Sequence, residues 1–193
     1  MMTRKKFISV ARLMVGIMVL LNLSPLEAAK IEGVHFDDRF TQEQTSLELR
    51  GGGLLRVMVF AKVYVAVLYL PPDHPSELAL EDVPKRLEVE YLRSIAAEDF
   101  GPATNKKISE NVDPQTFERL QDRLKYHNAL YQDVEPGDRY ALTYMPGKGT
   151  ELTLNGLAKG TVEGADFAAA LFSIWLGPRP ISESLKKELL DLK

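Results

Sequence analysis

Two cations inside an apolar run are the first side chains here whose type and setting invite chemistry. The stretch Gly51 to Leu70 reads GGGLLRVMVFAKVYVAVLYL, dense in Val, Leu, Tyr and Phe, with Arg56 and Lys62 as its charges. That composition belongs to a buried β-strand. A guanidinium buried without a partner is costly, so Arg56 needs an anionic partner, a wet cavity or an exit to the surface. Two roles stay open: a pair with a surface carboxylate at a strand end, or a bidentate grip on an anionic ligand.

Other chemistries lack their residues. His35, His74 and His127 stand without a metal ligand or nucleophile at motif spacing, and each reads as a structural or surface residue. The chain has no cysteine, no Gly-x-Ser-x-Gly, no His-Glu-x-x-His and no dinucleotide fingerprint. Neither a metal nor a cofactor is therefore expected. PGKGT, at Pro146 to Thr150, sits between strand patterns and reads as a hairpin turn rather than a phosphate loop. Gly51 to Gly53 also reads as a turn, because no Lys-Ser/Thr pair and no helix follows. Phe167, Phe172 and Trp175 recur at helical spacing and read as core.

The chain's 193 residues, 45% of them hydrophobic and 26% charged, set an expectation of one domain with one buried core. The first residues stand apart. Arg4, Lys5 and Lys6 precede an apolar segment from Leu13 to Leu23, and Leu26-Glu27-Ala28-Ala29 offers small residues for cleavage. Residues 1–28 are expected to be a secretory signal peptide, cut after Ala28 or Ala29, with residues 29–193 as the domain. That address predicts a periplasmic or secreted protein with no membrane span after cleavage. Without cysteines its fold must rest on packing. Removing Arg4, Lys5, Lys6, Arg12 and Glu27 from 24 basic and 27 acidic residues leaves a net charge of −6, which argues against nucleic acid as a partner.

Periodicity orders the rest. An edge strand is expected over Lys30 to Phe36 and another strand over Thr45 to Arg50. The apolar run follows, then Pro71-Pro72, a short helical turn from Ser76 to Leu80, and a strand with one buried face from Lys85 to Tyr91. Two helices come next, separated by a cap at Asp113 before Pro114. Arg139 to Met145 and Glu151 to Leu154 form a meander that turns at Asn155-Gly156, and two helices close the chain, the last from Ser182 to Leu192. The pattern predicts an α+β fold, a large antiparallel sheet covered by a layer of helices on one face.

Taken in order, GGGLLR, KVYVAVLYL, SENV, YMPGKGTELTLNG, GADFAAALFSIWLG and SLKKELL resemble the bacterial chalcone isomerase-like proteins, exported relatives of plant chalcone isomerase and of plastid fatty-acid-binding proteins. The resemblance covers about Lys30 to Leu192. It implies an open-faced β-sandwich with a ligand cleft between sheet and helices. Arg56 falls at the position of the arginine that stabilises the phenolate and enolate in chalcone isomerase, and Asn111 of KISEN falls at that of its asparagine. Tyr64 and Thr104 stand where that enzyme carries a threonine and a tyrosine, and Ala165 falls near a further threonine. Arg56 with Tyr64 is nearer to the arginine and tyrosine that hold a carboxylate in the fatty-acid-binding relatives.

The resemblance therefore implies a binder of a small amphipathic anion, a fatty acid or a phenolic, held by Arg56, Tyr64, Thr104 and Asn111. The alternative it implies is an isomerase, or intramolecular lyase, using Arg56 and Asn111. Geometry sets a condition on either. On one straight strand Arg56 and Tyr64 would lie roughly 26 Å apart at ~3.3 Å per residue, so the chain must reverse near Phe60 and Ala61 for both to meet one ligand.

Overall fold

The computed structural model describes residues 28–58 and 61–191, so the expected export segment lies outside the described residues apart from Ala28. Two antiparallel sheets are present. β1 (Ala28–Ile31) and β2 (Val34–Asp37) form a hairpin, where one edge strand was expected. Its turn is Glu32-Gly33, both at positive φ, a conformation that glycine tolerates far better than glutamate. The larger sheet is a seven-stranded meander in chain order: β3 (Arg39–Gln42), β4 (Thr45–Val57), β5 (Ala61–Leu70), β6 (Lys85–Tyr91), β7 (Arg139–Met145), β8 (Gly149–Leu154) and β9 (Leu157–Val162). It curls into a half-barrel, and four helices complete an α+β fold of the kind expected.

The apolar run thus folds as a hairpin rather than one strand. β4 ends at Val57 and β5 begins at Ala61, with Leu55 opposite Tyr64. From Val63 to Leu70 every residue of β5 is buried, because both of its faces are covered. Tyr64, Ala66, Leu68 and Leu70 belong to the core under the helices, while Val65, Val67 and Tyr69 pack with Val34, Phe36 and Leu47 under the β1–β2 hairpin. A strand buried twice has no reason to alternate, which is why KVYVAVLYL reads as continuous.

The three glycines lie inside β4 and are not a turn. A Cβ on Gly51 would fall on the backbone carbonyls of Glu188 and Leu189, one on Gly53 would meet the Glu188 side chain, and one on Gly52 would press Ile31 and Val67 on the opposite face. Their function is close approach: they let the helix α4 (Glu183–Leu189) set its C-terminal carbonyls against the strand.

The other helices are α1 (Ala97–Asn111), α2 (Pro114–Asn128) and α3 (Ala165–Leu176). α1 begins without a side-chain cap of its own, and the Ala97 amide donates to Asp133 Oδ1 at 2.8 Å instead. α2 starts as its sequence predicts, with Pro114 in the first turn and the Thr116 amide donating to Asp113 Oδ1 at 3.0 Å. α3 is apolar nearly all round and packs between α1 and the sheet.

Residues 86, 88 and 90 are not a solvated face. Arg86 donates to Glu88 at 2.7 Å, Arg139 reaches both Glu88 and Glu90, and the two guanidinium groups lie over the rings of Phe40 and Phe36, with Arg86 4.0 Å and Arg139 4.3 Å from the ring centres. This ionic layer fastens the first strands to the sheet. At the far end, Lys85 is fully buried against Tyr144 and Phe172 and donates to the Glu81 carbonyl at 2.5 Å, and burial lowers its pKa to about 8.

The glycine contacts order two substitutions. Gly51→Ala pushes a methyl group into helix backbone that cannot rotate away, and is expected to cost about 3 kcal/mol or more in chemical denaturation. Gly53→Ala meets a flexible carboxylate side chain and is expected to cost about 1 kcal/mol. Equal losses would show that α4 does not sit on β4 as described.

Candidate functional site

Between the curled sheet and the helices lies a cavity of about 280 Å³, at the lower edge of the range of about 300–1,000 Å³ typical of small-molecule sites. Its walls are apolar and come from five strands and two helices: Leu55, Val63, Leu87, Val89, Leu142 and Leu152 from the sheet, with Phe100 of α1 and Ile174 of α3. Antiparallel pairing sets this face. Leu55 opposes Tyr64, and Tyr64 opposes Tyr91, so successive strands present their inward residues to one space.

The polar lining is dominated by phenols. Tyr64, Tyr91, Tyr131 and Tyr140 all reach the cavity, and Tyr91 makes edge-on contacts with Tyr64, Phe100 and Tyr140. Burial pushes the pKa of Tyr64 and Tyr91 well above that of an ordinary phenol, and that of Tyr131 up to about 12. These hydroxyls are therefore neutral donors and acceptors at any physiological pH. The Tyr64 oxygen accepts the Trp175 indole N–H at 2.9 Å, which leaves its own hydrogen free to donate.

Charge is confined to the rim. Of the lining residues, Asp99 and Lys107 are the charged ones, both on α1. Lys107 donates to Glu110 at 2.7 Å. Thr104 lies one helical turn before Lys107 on the same face and is buried.

The four residues expected from sequence divide two and two. Tyr64 and Thr104 line the cavity. Arg56 does not: residues opposite one another in a ladder share a face, so with Leu55 paired to Tyr64 the next residue points the other way. Its guanidinium lies 3.5 Å from Glu32 at the tip of the β1–β2 hairpin and is 47% exposed, and Lys62 approaches the same carboxylate at 3.4 Å. The required chain reversal is present, yet it separates Arg56 from Tyr64 instead of joining them. Asn111 is also absent from the lining. Its amide nitrogen donates to the carbonyls of Lys107 and Arg179, and its oxygen accepts from the Arg179 amide at 2.9 Å, so it ties the end of α1 to the chain after α3.

Sequence reading missed Lys107, Tyr131, Trp175 and His127. Trp175 was read as core, and Tyr131 lies just after α2, outside any periodic pattern. His127, at one end of a four-residue spacing to Tyr131, is fully buried, and its Nε2 lies 3.1 Å from the Tyr131 hydroxyl. His35 is exposed, and His74 meets the Leu78 carbonyl at 3.0 Å. Among the described residues no group of three or more metal-ligating side chains occurs, and no helix is long and apolar enough to cross a membrane.

Burial lowers the His127 pKa to about 4, against about 6.5 in an unfolded chain. The unfolded state takes up a proton first as pH falls, so the stability due to this group is complete above about pH 6.5 and is lost towards pH 4, by up to about 3 kcal/mol. Urea midpoints measured across that window should fall for the parent protein and fall less for His127→Leu. Parallel curves would place the histidine in contact with water.

Comparison with known proteins places this geometry. The family model described as chalcone isomerase-like matches residues 28–191. Among solved structures, a fatty-acid binding protein of Arabidopsis thaliana superposes with a TM-score of 0.66 at 15% sequence identity, over 86% of this chain and 96% of that one. At that identity the likeness is one of fold. No curated protein sequence matched the chain.

Proposed function

Because the chain belongs to the chalcone isomerase-like family, we propose that it binds a small amphipathic anion, a fatty acid, in the cavity between sheet and helices. One observation carries this reading: among the described residues, an apolar space with only uncharged polar groups inside and, on its rim, one cation, Lys107, two helical turns along α1 from the rim's Asp99. Each methylene taken from water into such a wall contributes about 0.8 kcal/mol. The carboxylate then stays at the α1 side, where Lys107 supplies charge and Thr104 a hydroxyl, with Glu110 giving up or sharing the ammonium. The Arabidopsis protein of the same fold, a fatty-acid binding protein, supports the ligand class. The cavity's modest size favours a medium-length chain over a long one.

The isomerase alternative has less behind it. It requires Arg56 and Asn111 on one substrate, whereas Arg56 faces Glu32 and Asn111 holds two chain segments together. We propose that the protein lies outside the cytoplasm, in a periplasm or secreted, on the basic and apolar sequence before β1 and the small residues Ala28-Ala29 that open it.

Native mass spectrometry of protein purified from its own compartment should show a co-purifying fatty acid, and decanoate should displace a fluorescent acyl probe. Lys107→Ala is expected to weaken decanoate about ten-fold, in line with about 1.5 kcal/mol for a hydrogen bond to a charged group. Arg56→Ala should leave affinity within about two-fold and stability within about 1 kcal/mol, as for exposed pairs in general. Loss of binding in Arg56→Ala with none in Lys107→Ala would reverse the assignment.

A further inference from the structure

We infer that His127 aims the Tyr131 hydroxyl into the cavity as a hydrogen-bond donor, so that Tyr131 binds an acceptor oxygen at the ligand's polar end and His127 is its positioning residue. This rests on the fatty-acid reading and adds a third polar group to Thr104 and Lys107.

The inference follows from where the imidazole can keep its proton. His127 is 0% exposed, its ring meets Tyr131 and Phe167 edge-on, and its Nδ1 is buried with no partner. A neutral imidazole has one N–H. At Nδ1 that N–H would be a buried donor without an acceptor, an arrangement folded proteins rarely contain. At Nε2 it donates to the Tyr131 oxygen 3.1 Å away, and only a lone pair at Nδ1 goes without a partner.

Once the Tyr131 oxygen receives that N–H, the phenol's own hydrogen cannot point at His127. The ring cannot swing to find another partner either. It is stacked on Phe100, with ring centres 4.7 Å apart, and set edge-on to Tyr140 at 5.5 Å. Rotation about the C–O bond is the remaining freedom; Tyr131 and Thr104 both line the cavity and Thr104 lies within hydrogen-bonding reach of the phenol, so the hydrogen turns towards them. Thr104 can accept or donate, so it can yield the Tyr131 hydrogen to a ligand and offer its own. Tyr131 and Thr104 then form a neutral donor pair one helical turn from Lys107. The lowered basicity of the buried imidazole agrees with this arrangement, since a neutral ring has a tautomer to choose.

Two measurements test it. In the 15N spectrum of histidine-labelled protein near pH 7, the buried histidine should show a protonated Nε2, and a protonated Nδ1 would overturn the inference without any variant having to fold. Binding is then compared for decanoate and for nonane, which shares its tail. Tyr131→Phe should weaken decanoate about five- to ten-fold and leave nonane within about two-fold, as for loss of one hydrogen bond to a charged group. His127→Leu should do the same, and His127→Gln, whose amide N–H reaches a similar point, should recover most of the loss. Equal losses for acid and alkane, no loss for either, or glutamine performing no better than leucine would each sink the proposal. A parent protein that binds neither probe would defeat the fatty-acid reading, and the tautomer would still decide the donor geometry.

Discussion

Everything in this molecule is arranged about one strand buried on both faces. β5 gives Tyr64, Ala66, Leu68 and Leu70 to the helices and Val65, Val67 and Tyr69 to the N-terminal hairpin. Neither covering layer is stable alone: an isolated two-stranded hairpin is marginal, and α3 is too apolar to stand free of the sheet. Each finds its partner in the same strand, so the site on one face and the ionic layer on the other share a single support. The cavity follows from that arrangement, because the curled sheet turns its inward residues towards helices that do not fill the whole concavity.

The two faces divide the polar chemistry. Arg86, Glu88, Glu90 and Arg139 lie beneath the first strands, paired with one another and laid on phenylalanine rings. The helix side instead carries tyrosines, threonine and tryptophan inside, with Asp99 and Lys107 at the edge. An anion entering a low-dielectric space without a counter-charge is strongly disfavoured. The rim lysine therefore sets which way round an amphipathic guest can lie.

Much of the architecture was legible in the residues, and the failures have identifiable causes. The helix boundary at Asp113-Pro114 and the Asn155-Gly156 turn rest on local chemistry that acts within a few residues, so sequence shows them directly. The glycine run misled because its reason lies at the other end of the described chain, in the carbonyls of α4. Arg56 misled for a subtler reason. Counting along the chain assigns it the parity of Tyr64, but the irregularity between Leu55 and Arg56 and the hairpin register place the two on opposite faces. Tyr131 and His127 could be suspected only as a four-residue spacing at a helix end, a signal too common to single them out. Sequence showed the cavity's walls better than its polar contacts, since walls follow from periodicity and contacts from register.

The seat of α4 on the glycines of β4 also has a meaning in time. From β3 to β9 each strand pairs with the one made just before it, so the sheet can grow as the chain emerges, with its one long wait between β6 and β7, across α1 and α2. The glycine-lined stretch of β4 is different: it is made early, and its cover, α4, comes last among the described helices. During synthesis that bare strip of backbone is the part of the sheet left longest without its partner, because α4 follows every described strand.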